Sequence, residues 1–437
     1  MQYIPNILFA ILLIAGVGYF TRNVKKLSRN IKLGKDVDRS DNKSQRWKNM
    51  GMIALGQSKM VKRPIAGFFH IVVYIGFVII NIEVLEIVID GLFGTHRIFQ
   101  DFLGEAIYGF LIGTFEILAV AVLISVIIFW IRRNIIKLKR FLSAEMKGWP
   151  KSDGNIILYF EVVLMTLFLV MNAADLNFQE AGVGNVISQY LYPLFEGNIE
   201  TAHLVERVAW WIHITGILIF LNYLYFSKHL HILLAFPNTW YANLNPKGQF
   251  VNDANVTKEV LLMMDPNADP FAAPAEGEDE GEPEKFGASD VQDLNWVQLL
   301  NSYTCTECGR CTSECPANLT GKKLSPRKIM MDTRDRLEEV GKNIDANNGT
   351  FVDDGKSLLN DYITTEELWA CTSCNACVEA CPVSIDPLSI IMEMRKYLVM
   401  EQSAAPTELN VMMGNIENNG APWPYNQMDR LNWKDEN

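Results

Sequence analysis

Long apolar runs alternate with polar segments through the first half of the chain, and this pattern sets its architecture. A helix needs about 20 apolar residues to cross a bilayer. Five stretches meet this requirement, at residues 3–20, 65–93, 105–131, 155–174 and 203–226. Residues 266–290 are instead acidic and rich in proline, alanine and glycine, which is typical of a disordered linker. The pattern predicts an all-α membrane bundle of five helices joined by a linker to a soluble domain.

The polar part beyond the linker predicts a small helical domain around eight cysteines. Helical periodicity covers residues 291–303, 325–340, 364–369 and 386–402. We expect residues 238–264 to lie on the surface. The chain then divides into an anchor helix with a basic loop (1–63), a membrane domain (64–236), a surface segment with the linker (237–290), a cysteine-bearing domain (291–403) and a C-terminal tail (404–437).

Lysine and arginine are distributed unequally between the loops. Residues 22–63 and 132–151 are basic, residues 175–202 contain no lysine or arginine, and the loop after residue 93 has only Arg97. Because basic loops stay in the cytoplasm, we expect an inner-membrane protein with an external N-terminus and a cytoplasmic C-terminal domain. The first stretch lacks a basic leader and a small-residue cleavage site, so we expect a retained anchor. The net charge of −11 is segregated along the chain and gives no indication of a nucleic-acid partner.

All eight cysteines fall into two copies of the spacing C-x2-C-x2-C-x3-C-P. The two runs are Cys305, Cys308, Cys311 and Cys315, and Cys371, Cys374, Cys377 and Cys381. This spacing is typical of [4Fe–4S] ferredoxins, in which the fourth cysteine of each run binds the other cluster. We therefore expect two clusters, one completed by Cys381 and the other by Cys315. The alternative, a pair of zinc sites, would favour separated C-x2-C pairs.

Histidines in or beside the second and fifth apolar stretches are candidate axial ligands of haem b, because a neutral imidazole can bind the iron. His70 lies near the cytoplasmic start of the second stretch and His231 near the cytoplasmic end of the fifth. Their matching depths predict one haem between them, with His229 as the fallback ligand. The alternative for His70 and His231 is a polar cap at the membrane surface.

A second haem is less well supported by the residues. His213 lies 18 residues before His231, which on one continuous helix is five turns, about 27 Å along the same face. It would therefore belong to a different haem in the outer half of the membrane. The partner would have to be Met165, Met171 or His203.

Acidic side chains inside apolar stretches are unfavourable in lipid and commonly mark proton or ion routes. The candidates are Glu83, Glu86, Asp90, Glu116 and Glu206, the last beside Arg207. We expect them to carry protons to or from a quinone near His213. For Glu206, the alternative is an ion pair with Arg207 that only holds helices together.

The membrane segments resemble the nitrate reductase gamma subunit. The similarity rests on GFFHIVVYIGF around His70 and on WWIHITGILIF and YFSKHLHI around His213 and His231. That family holds two b haems with four histidines on its second and fifth helices. The resemblance implies haem-ligand roles for His70, His213 and His231. The fourth histidine position, ten residues after the first, is Ile80 here, which favours one haem over two.

The soluble part resembles the cluster-bearing subunits of membrane-bound heterodisulfide reductase. The similarity rests on LLNSYTCTECGRCTSECPANLTGKKLSPRKIMMDTR and on ENNGAPWPYNQMDRLNW near the end of the chain. In that family, cysteine-rich CCG repeats carry the catalysis, and no cysteine follows Cys381 here. The resemblance implies that a separate, soluble CCG-type protein is the catalytic partner.

Together these features predict an oxidoreductase subunit that passes electrons between menaquinone or ubiquinone, haem b, two [4Fe–4S] clusters and the CCG-type partner. One alternative is a haem-free, membrane-anchored ferredoxin that serves metal reduction or oxidase assembly. Another is a scaffold with structural clusters, which the acidic linker and the lack of a basic soluble face disfavour.

Overall fold

The computed structural model describes residues 3–250, 252–266 and 285–435. In these ranges the secondary structure is helical, with two isolated β-bridges and no strand, so the predicted all-α fold is confirmed. The core of the predicted linker, residues 267–284, lies outside the described residues.

Five helices of the described chain are long and apolar enough to cross a membrane. They are α1 (Ile4–Ile31), α2 (Pro64–Phe93), α3 (Glu105–Asn134), α4 (Trp149–Ala174) and α5 (Ile199–Tyr223). The prediction placed all five, within a few residues at most ends. Successive helices run in opposite directions, and the bundle is built from extensive α2–α3, α3–α4 and α4–α5 packing.

Helix α1 continues eleven residues beyond its predicted end because its polar last turns are docked on the cysteine-bearing domain. Lys26 and Arg29 pair with Asp345, the Lys26 contact at 2.5 Å. The Asn30 amide donates to the Tyr303 hydroxyl at 2.9 Å. The helix therefore extends from the apolar bundle into the soluble domain.

Helix α5 ends earlier than predicted, and this corrects the histidine geometry. It stops at Tyr223, and two 3-10 turns, Leu224–Phe226 and Lys228–Leu230, precede α6 (His231–Trp240). The Asp153 carboxylate of α4 accepts from the Tyr223 hydroxyl at 2.6 Å and from the Lys228 backbone N–H at 3.1 Å. That N–H would otherwise continue the helix. The prediction that His213 and His231 share one helix face is therefore wrong.

The cysteine-bearing domain packs around α7 (Trp296–Thr304), α8 (Pro326–Ala346) and α9 (Pro387–Met400). Its core includes fully buried Leu299, Ile329, Leu337, Ile390 and Met394. Short helices Arg310–Glu314 and Ala376–Ala380 lie inside the two cysteine runs and pack against each other. The two runs therefore form one compact unit.

The remaining elements are short or peripheral. The α-helical ones are Lys43–Met50, Ile98–Leu103, Leu176–Ala181, Ala254–Met264, Pro316–Leu319, Leu358–Asp361, Thr365–Trp369 and Thr407–Asn419, and Gly51–Leu55 is a π-helical turn. The 3-10 turns are Lys139–Phe141, Ala144–Met146, Ser188–Tyr190, Tyr192–Leu194, Val291–Asp293, Gln427–Asp429 and Asn432–Lys434.

The cysteine-bearing domain sits directly on one end of the bundle. Arg327, 1% exposed, donates to the Arg140 carbonyl at 2.7 Å and pairs with Glu145 at 2.7 Å. Arg310 donates to the Lys59 carbonyl at 2.9 Å. We call this end of the bundle the cluster side and the opposite end the far side. The basic loops lie on the cluster side, where several of their cations pair with the soluble domain.

Candidate cofactor and electron-transfer site

The two cysteine runs follow the same backbone path. Glu307 and Gly309 in the first run, and Ser373 and Asn375 in the second, all have positive φ between 52° and 70°. Gly309 also lies against the Arg327 guanidinium, and a Cβ there would come within 2.6 Å of it. The repeated left-handed turns wrap each loop around a local centre, as a cluster-binding loop requires.

The fourth cysteine of each run lies beside the first three of the other run. Cys305, Cys308, Cys311 and Cys381 line one small cavity of about 20 Å³. In the second set, burial raises the pKa of Cys377, and Asp386, Cys371 and Cys315 raise it further, which places Cys315 beside that run. These are the two exchanged ligand sets that the spacing predicts.

Each cysteine set offers the four thiolates that a [4Fe–4S] cluster takes. Among the described residues, no three histidine, cysteine or acidic side chains form a single-ion site. A cluster instead takes one thiolate at each of four irons, so its ligands stand farther apart. Backbone N–H groups of Ser373 and Ile385 donate to the sulfurs of Cys371 and Cys381 at 3.4 and 3.2 Å. Such hydrogen bonds tune the potential of a bound cluster.

A cavity of about 490 Å³ lies where the bundle meets the cysteine-bearing domain. Its wall includes His70, His229 and His231 from the bundle side and Glu307 and Cys308 from the first cysteine run. Apolar side chains of α2, α3 and α4 complete the wall. We call this space the cluster-side cavity. Its volume suits a bulky organic cofactor.

The histidines of the cluster-side cavity offer free ring nitrogens. His231 Nδ1 is 2.9 Å from the Lys228 carbonyl. If Nδ1 carries the proton and donates there, Nε2 is left as an available ligand, which is a common way to orient a metal-binding imidazole. His70 Nδ1 is buried and has no hydrogen-bond partner among the described residues. Both rings therefore fit axial ligation of a haem iron.

His229 lies beside His231. Their ring centroids are 5.3 Å apart, and the His229 ring is 5.6 Å from that of Phe220. Burial, helped by His231 and His70, lowers the pKa of His229 to about 3. His229 is therefore neutral at physiological pH, and it remains the fallback ligand.

Cations surround the cluster-side cavity. They are Arg132, Arg133, Arg140, Lys228 and Arg310. A haem carries two carboxylates, so a cavity with neutral histidines, apolar walls and a cationic margin matches its chemistry.

Lys228 connects the bundle to the first cysteine run. Its ammonium pairs with Glu307, between Cys305 and Cys308, and lies 3.7 Å from Asp153. Arg334 also pairs with Glu307, at 2.9 Å. Burial alone would raise the pKa of Glu307, but the two cations more than offset it, so the pKa is lowered. The cluster loop is thereby fixed against the turn that carries His229 and His231.

His213 lines a much smaller cavity of about 70 Å³, together with Ile80, Met165 and Glu161. The ring is 2% exposed, and Nδ1 has no hydrogen-bond partner among the described residues. This space has about one seventh of the volume of the cluster-side cavity. Met171 instead faces the far side, and His203 is exposed.

A third cavity, of about 260 Å³, opens at the far side and gathers most of the predicted acids. We call it the far-side cavity. Its wall includes Glu83, Glu86, Asp90, His96, Arg97, Glu206, Arg207, Trp210 and Trp211. This end of the bundle is therefore rich in carboxylates and aromatic rings.

Most of these carboxylates are already engaged. Glu86 accepts from the Tyr108 hydroxyl at 3.0 Å and from the Phe99 N–H at 2.9 Å, and Glu206 pairs with Arg207. Glu83 is 3% exposed and has a carboxylate oxygen without a hydrogen-bond partner in the described chain. Glu83 is thus the acid most available for proton exchange.

Glu116 lies apart from the far-side cavity. Its carboxylate accepts from the Asn172 amide at 3.1 Å and from the backbone N–H groups of Ile187 and Ser188 at 2.7 and 3.1 Å. These bonds hold the far-side loop onto α3 and α4. The expected proton-carrying role of Glu116 therefore has no support in its contacts.

Two charged residues that line these cavities were not among the candidates selected from the sequence. Arg97 donates to Asp175 at 2.8 Å and Asn172 at 3.0 Å, and its isolation in a nearly uncharged loop was the available signal. Glu161 lies between the cluster-side cavity and the His213 cavity. It forms no ion pair with the described residues. The rule that selected Glu83 applies to Glu161 equally.

The segment that contains the two cysteine runs matches a known protein family. Residues 304–385 match the family of 4Fe-4S dicluster domains. The match contains both cysteine runs, so the predicted dicluster domain is confirmed. The expected boundaries of 291–403 enclose it.

Two relatives match almost the whole chain. One is the Bacillus subtilis protein named "Probable iron-sulfur-binding oxidoreductase FadF", 29% identical over 98% of this chain and 61% of the relative. The other is the "EtfAB:quinone oxidoreductase" of Syntrophomonas wolfei, 25% identical over 92% of this chain and 55% of the relative. The chain thus spans less than two thirds of the length of either relative.

A third relative matches over a shorter region. It is the "Probable membrane-anchored ferredoxin" of Chromohalobacter salexigens, 32% identical over 34% of this chain and 24% of the relative. Heterodisulfide reductase subunits are related over similar lengths. The chain is therefore related to iron-sulfur oxidoreductases and heterodisulfide reductase subunits, as predicted. No solved structure matches it.

Proposed function

We propose that this chain is the membrane electron-transfer part of a quinone-linked oxidoreductase. It would hold one b haem between His70 and His231 and two [4Fe–4S] clusters on the eight cysteines. Menaquinone or ubiquinone would be the membrane substrate.

The cluster-side cavity carries this proposal, because it is bounded by imidazoles of the bundle and by Cys308 of the first cysteine run. When bound, haem and clusters supply one-electron chemistry. The chain's own residues orient the ligands and exclude water. The Lys228 carbonyl sets the His231 ring, and the Lys228–Glu307 pair keeps the cluster loop beside it.

We assign quinone to the far-side cavity. A quinone takes up two electrons and two protons on reduction and releases them on oxidation. Trp210 and Trp211 offer flat apolar surfaces for a quinone ring, and Glu83 offers an unpartnered carboxylate oxygen that can exchange a proton. The aromatic and acidic walls together support a site for quinone chemistry.

We propose a soluble redox partner for the cluster domain. The name of the Syntrophomonas wolfei relative couples EtfAB to quinone, and other relatives are heterodisulfide reductase subunits. The partner would therefore be EtfAB or a CCG-type module. That module can equally belong to a longer polypeptide, because the long relatives extend beyond the matched region.

We also propose that the cluster side faces the cytoplasm and that the membrane is the inner membrane. The basic loops 22–63 and 132–151 lie on that side, and cytoplasmic loops are enriched in lysine and arginine. Some of these cations also pair with the cluster domain, so docking explains part of their number.

A reduced-minus-oxidised optical spectrum of the detergent-purified, full chain tests the haem. We expect an absorption band of b-type cytochrome, and reduction of that band by added quinol. A protein with its full complement of clusters and no such band would contradict the proposal. It would instead favour a haem-free membrane-anchored ferredoxin, which the Chromohalobacter salexigens relative supports by name.

A further inference from the structure

A groove with a cationic lining opens at the edge of the bundle on the cluster side. Its volume is about 470 Å³, and its wall is formed by the start of α2, the end of α3 and the turn that follows α3. The charged side chains in the wall are Lys62, Arg63, Arg132, Lys139 and Arg140, and none is acidic. We call it the basic groove.

The positive charge of the basic groove is only partly compensated. Lys62 pairs with Glu379 at 2.6 Å and Arg63 pairs with Glu314 at 2.9 Å, both across the domain junction. Arg132, Lys139 and Arg140 have no ion pair among the described residues. Burial, and the neighbouring cations, lower the pKa of Arg140. These three cations therefore have no anionic partner among the described residues, and two of them, Arg132 and Arg140, also line the cluster-side cavity.

The backbone at the start of α2 also favours an anion in the basic groove. Helix α2 begins at Pro64, and Ile65 and Ala66 of its first turn line the groove. The leading N–H groups of a helix have no partner within the helix and attract negative charge. The 30-residue helix thus directs its positive end at the same space as the cations.

The surroundings of the groove identify the depth at which it lies. Pro64 begins one membrane helix and Asn134 ends another, so the groove is at the bilayer surface. Beside it, Ile65 and Phe68 are each 63% exposed and Ile135 is 63% exposed. Large exposed apolar side chains at this depth would contact acyl chains and not water. The groove is therefore cationic toward the headgroups and apolar toward the membrane interior.

We infer that the basic groove binds the phosphate headgroup of an anionic phospholipid. Pockets of this composition at the cytoplasmic ends of membrane helices suit such headgroups. A bound lipid would bridge α2 and α3 next to Arg63, which also contacts the cluster domain through Ser313 and Glu314. The site is separate from the proposed haem, although the two spaces share Ala66, Arg132 and Arg140 in their walls.

The test uses a variant that leaves the cluster-side cavity unchanged and in which Lys247 still pairs with Glu379 after the Lys62–Glu379 pair is lost. Lys62 and Lys139 line the groove and not the cluster-side cavity, so we choose Lys62→Gln with Lys139→Gln. The matched control is Lys147→Gln with Lys151→Gln, which removes the same charge from exposed cluster-side positions outside both spaces. A Lys62→Arg, Lys139→Arg variant keeps the charge and is the control for a folding defect.

The full chain is purified in detergent, and native mass spectrometry measures binding of added phosphatidylglycerol, phosphatidylcholine or inorganic phosphate. We expect one phosphatidylglycerol to bind the wild type, the control and the arginine variant. Affinity should fall about fivefold per lysine removed, or about 25-fold in the groove variant. A lysine near an anionic headgroup contributes about 1 kcal/mol, which corresponds to about a fivefold change in affinity. Phosphatidylcholine should bind much more weakly to all four proteins.

Three results would overturn the inference. Equal phosphatidylglycerol binding by the groove and control variants would place the lipid elsewhere. Binding of inorganic phosphate with no preference for phosphatidylglycerol would make this a site for soluble phosphate. A loss of the b-type absorption band in the groove variant together with the lipid would assign the groove to the haem site. Absence of that band in the wild type would contradict the proposed function and leave the lipid result intact.

Discussion

The two ends of the bundle are built from opposite chemistry. The cluster-side cavity is large and has neutral histidines, apolar walls and five cations. The far-side cavity is about half that volume and gathers five carboxylates and two arginines with aromatic rings. One end suits a bulky cofactor that bears carboxylates, and the other suits a small redox substrate that exchanges protons. Under the proposed function, this contrast would separate electron transfer from proton exchange along a single bundle.

The surroundings of the two buried histidines in the bundle also differ. His70 and His213 both have an unpartnered Nδ1. Only His70 adjoins a cavity of about 490 Å³, whereas His213 adjoins one of about 70 Å³. The available volume and the charge of the wall distinguish the two positions.

The largest expected effect comes from removing the cluster-side imidazoles. His70→Ala or His231→Ala should abolish the b-type absorption band, because each removes one axial ligand. His213→Ala should keep the band at nearly its full intensity. Optical spectra of the three purified variants, with iron–sulfur content as the folding control, provide the measurement. Loss of the band in His213→Ala would break the contrast between the two histidine sites.

The second prediction tests which cluster faces the cluster-side cavity. Cys381→Ser should remove the cluster held by the first run, although Cys381 belongs to the second run, because Cys381 shares a cavity with Cys308. Haem should remain bound but transfer to the partner should fall sharply. Electron paramagnetic resonance of Cys381→Ser and Cys315→Ser would distinguish the clusters. Loss of the second-run cluster from Cys381→Ser, identified as the signal that Cys374→Ser also lacks, would exclude the exchanged ligand sets.

At the far side, Glu83→Gln should lower quinol oxidation about 100-fold, within the range of a lost proton-transfer group. Glu116→Gln is the matched comparison, since that carboxylate binds Ile187 and Ser188 and does not line the cavity. It should keep most of the turnover and lower the free energy of unfolding by about 1–3 kcal/mol. Stopped-flow kinetics and thermal unfolding separate these outcomes. Unchanged turnover in Glu83→Gln would remove its proton role.

The smallest predicted effect concerns docking of the cluster domain. Burial would raise the pKa of Glu145, but Arg327 and Ser325 more than offset this, so the pKa is lowered in the folded protein. The ionised pair therefore stabilises docking above the unfolded pKa of about 4.3, and that stability is lost as pH falls below it. The protection of amides near Arg327 from hydrogen exchange, relative to the intrinsic rate at each pH, should fall below this pH. Glu145→Gln should weaken docking by about 1 kcal/mol and flatten the pH dependence; an unchanged pH profile would contradict it.

Much of the fold could be predicted because its signals are local. The apolar stretches located all five membrane helices, and the cysteine spacing predicted a dicluster domain. The helix ends were less accurate where distant contacts fix them. The start of α4 at Trp149 precedes the predicted residue 155, and α1 extends to Ile31 because the soluble domain holds its last turns.

The sequence predicted which residues belong to the candidate sites, but not which partners each of them has in the fold. The acids of α2 were identified by their unfavourable position in lipid, yet only Glu83 keeps an unpartnered oxygen. Whether a carboxylate is engaged depends on partners far away in sequence, such as Ile187 for Glu116. Glu161 was overlooked although the same reasoning applied to it.

The sequence alone determined the membrane-spanning architecture and the commitment of every cysteine to two cluster motifs, because hydrophobic length and short ligand spacing act within a few turns of chain. Tertiary structure decided where α5 ends, since Asp153 of α4 binds the Lys228 N–H. It also decided that His70 and His231 share one cavity with Cys308. These features arise from contacts between segments far apart in sequence, which local patterns do not specify.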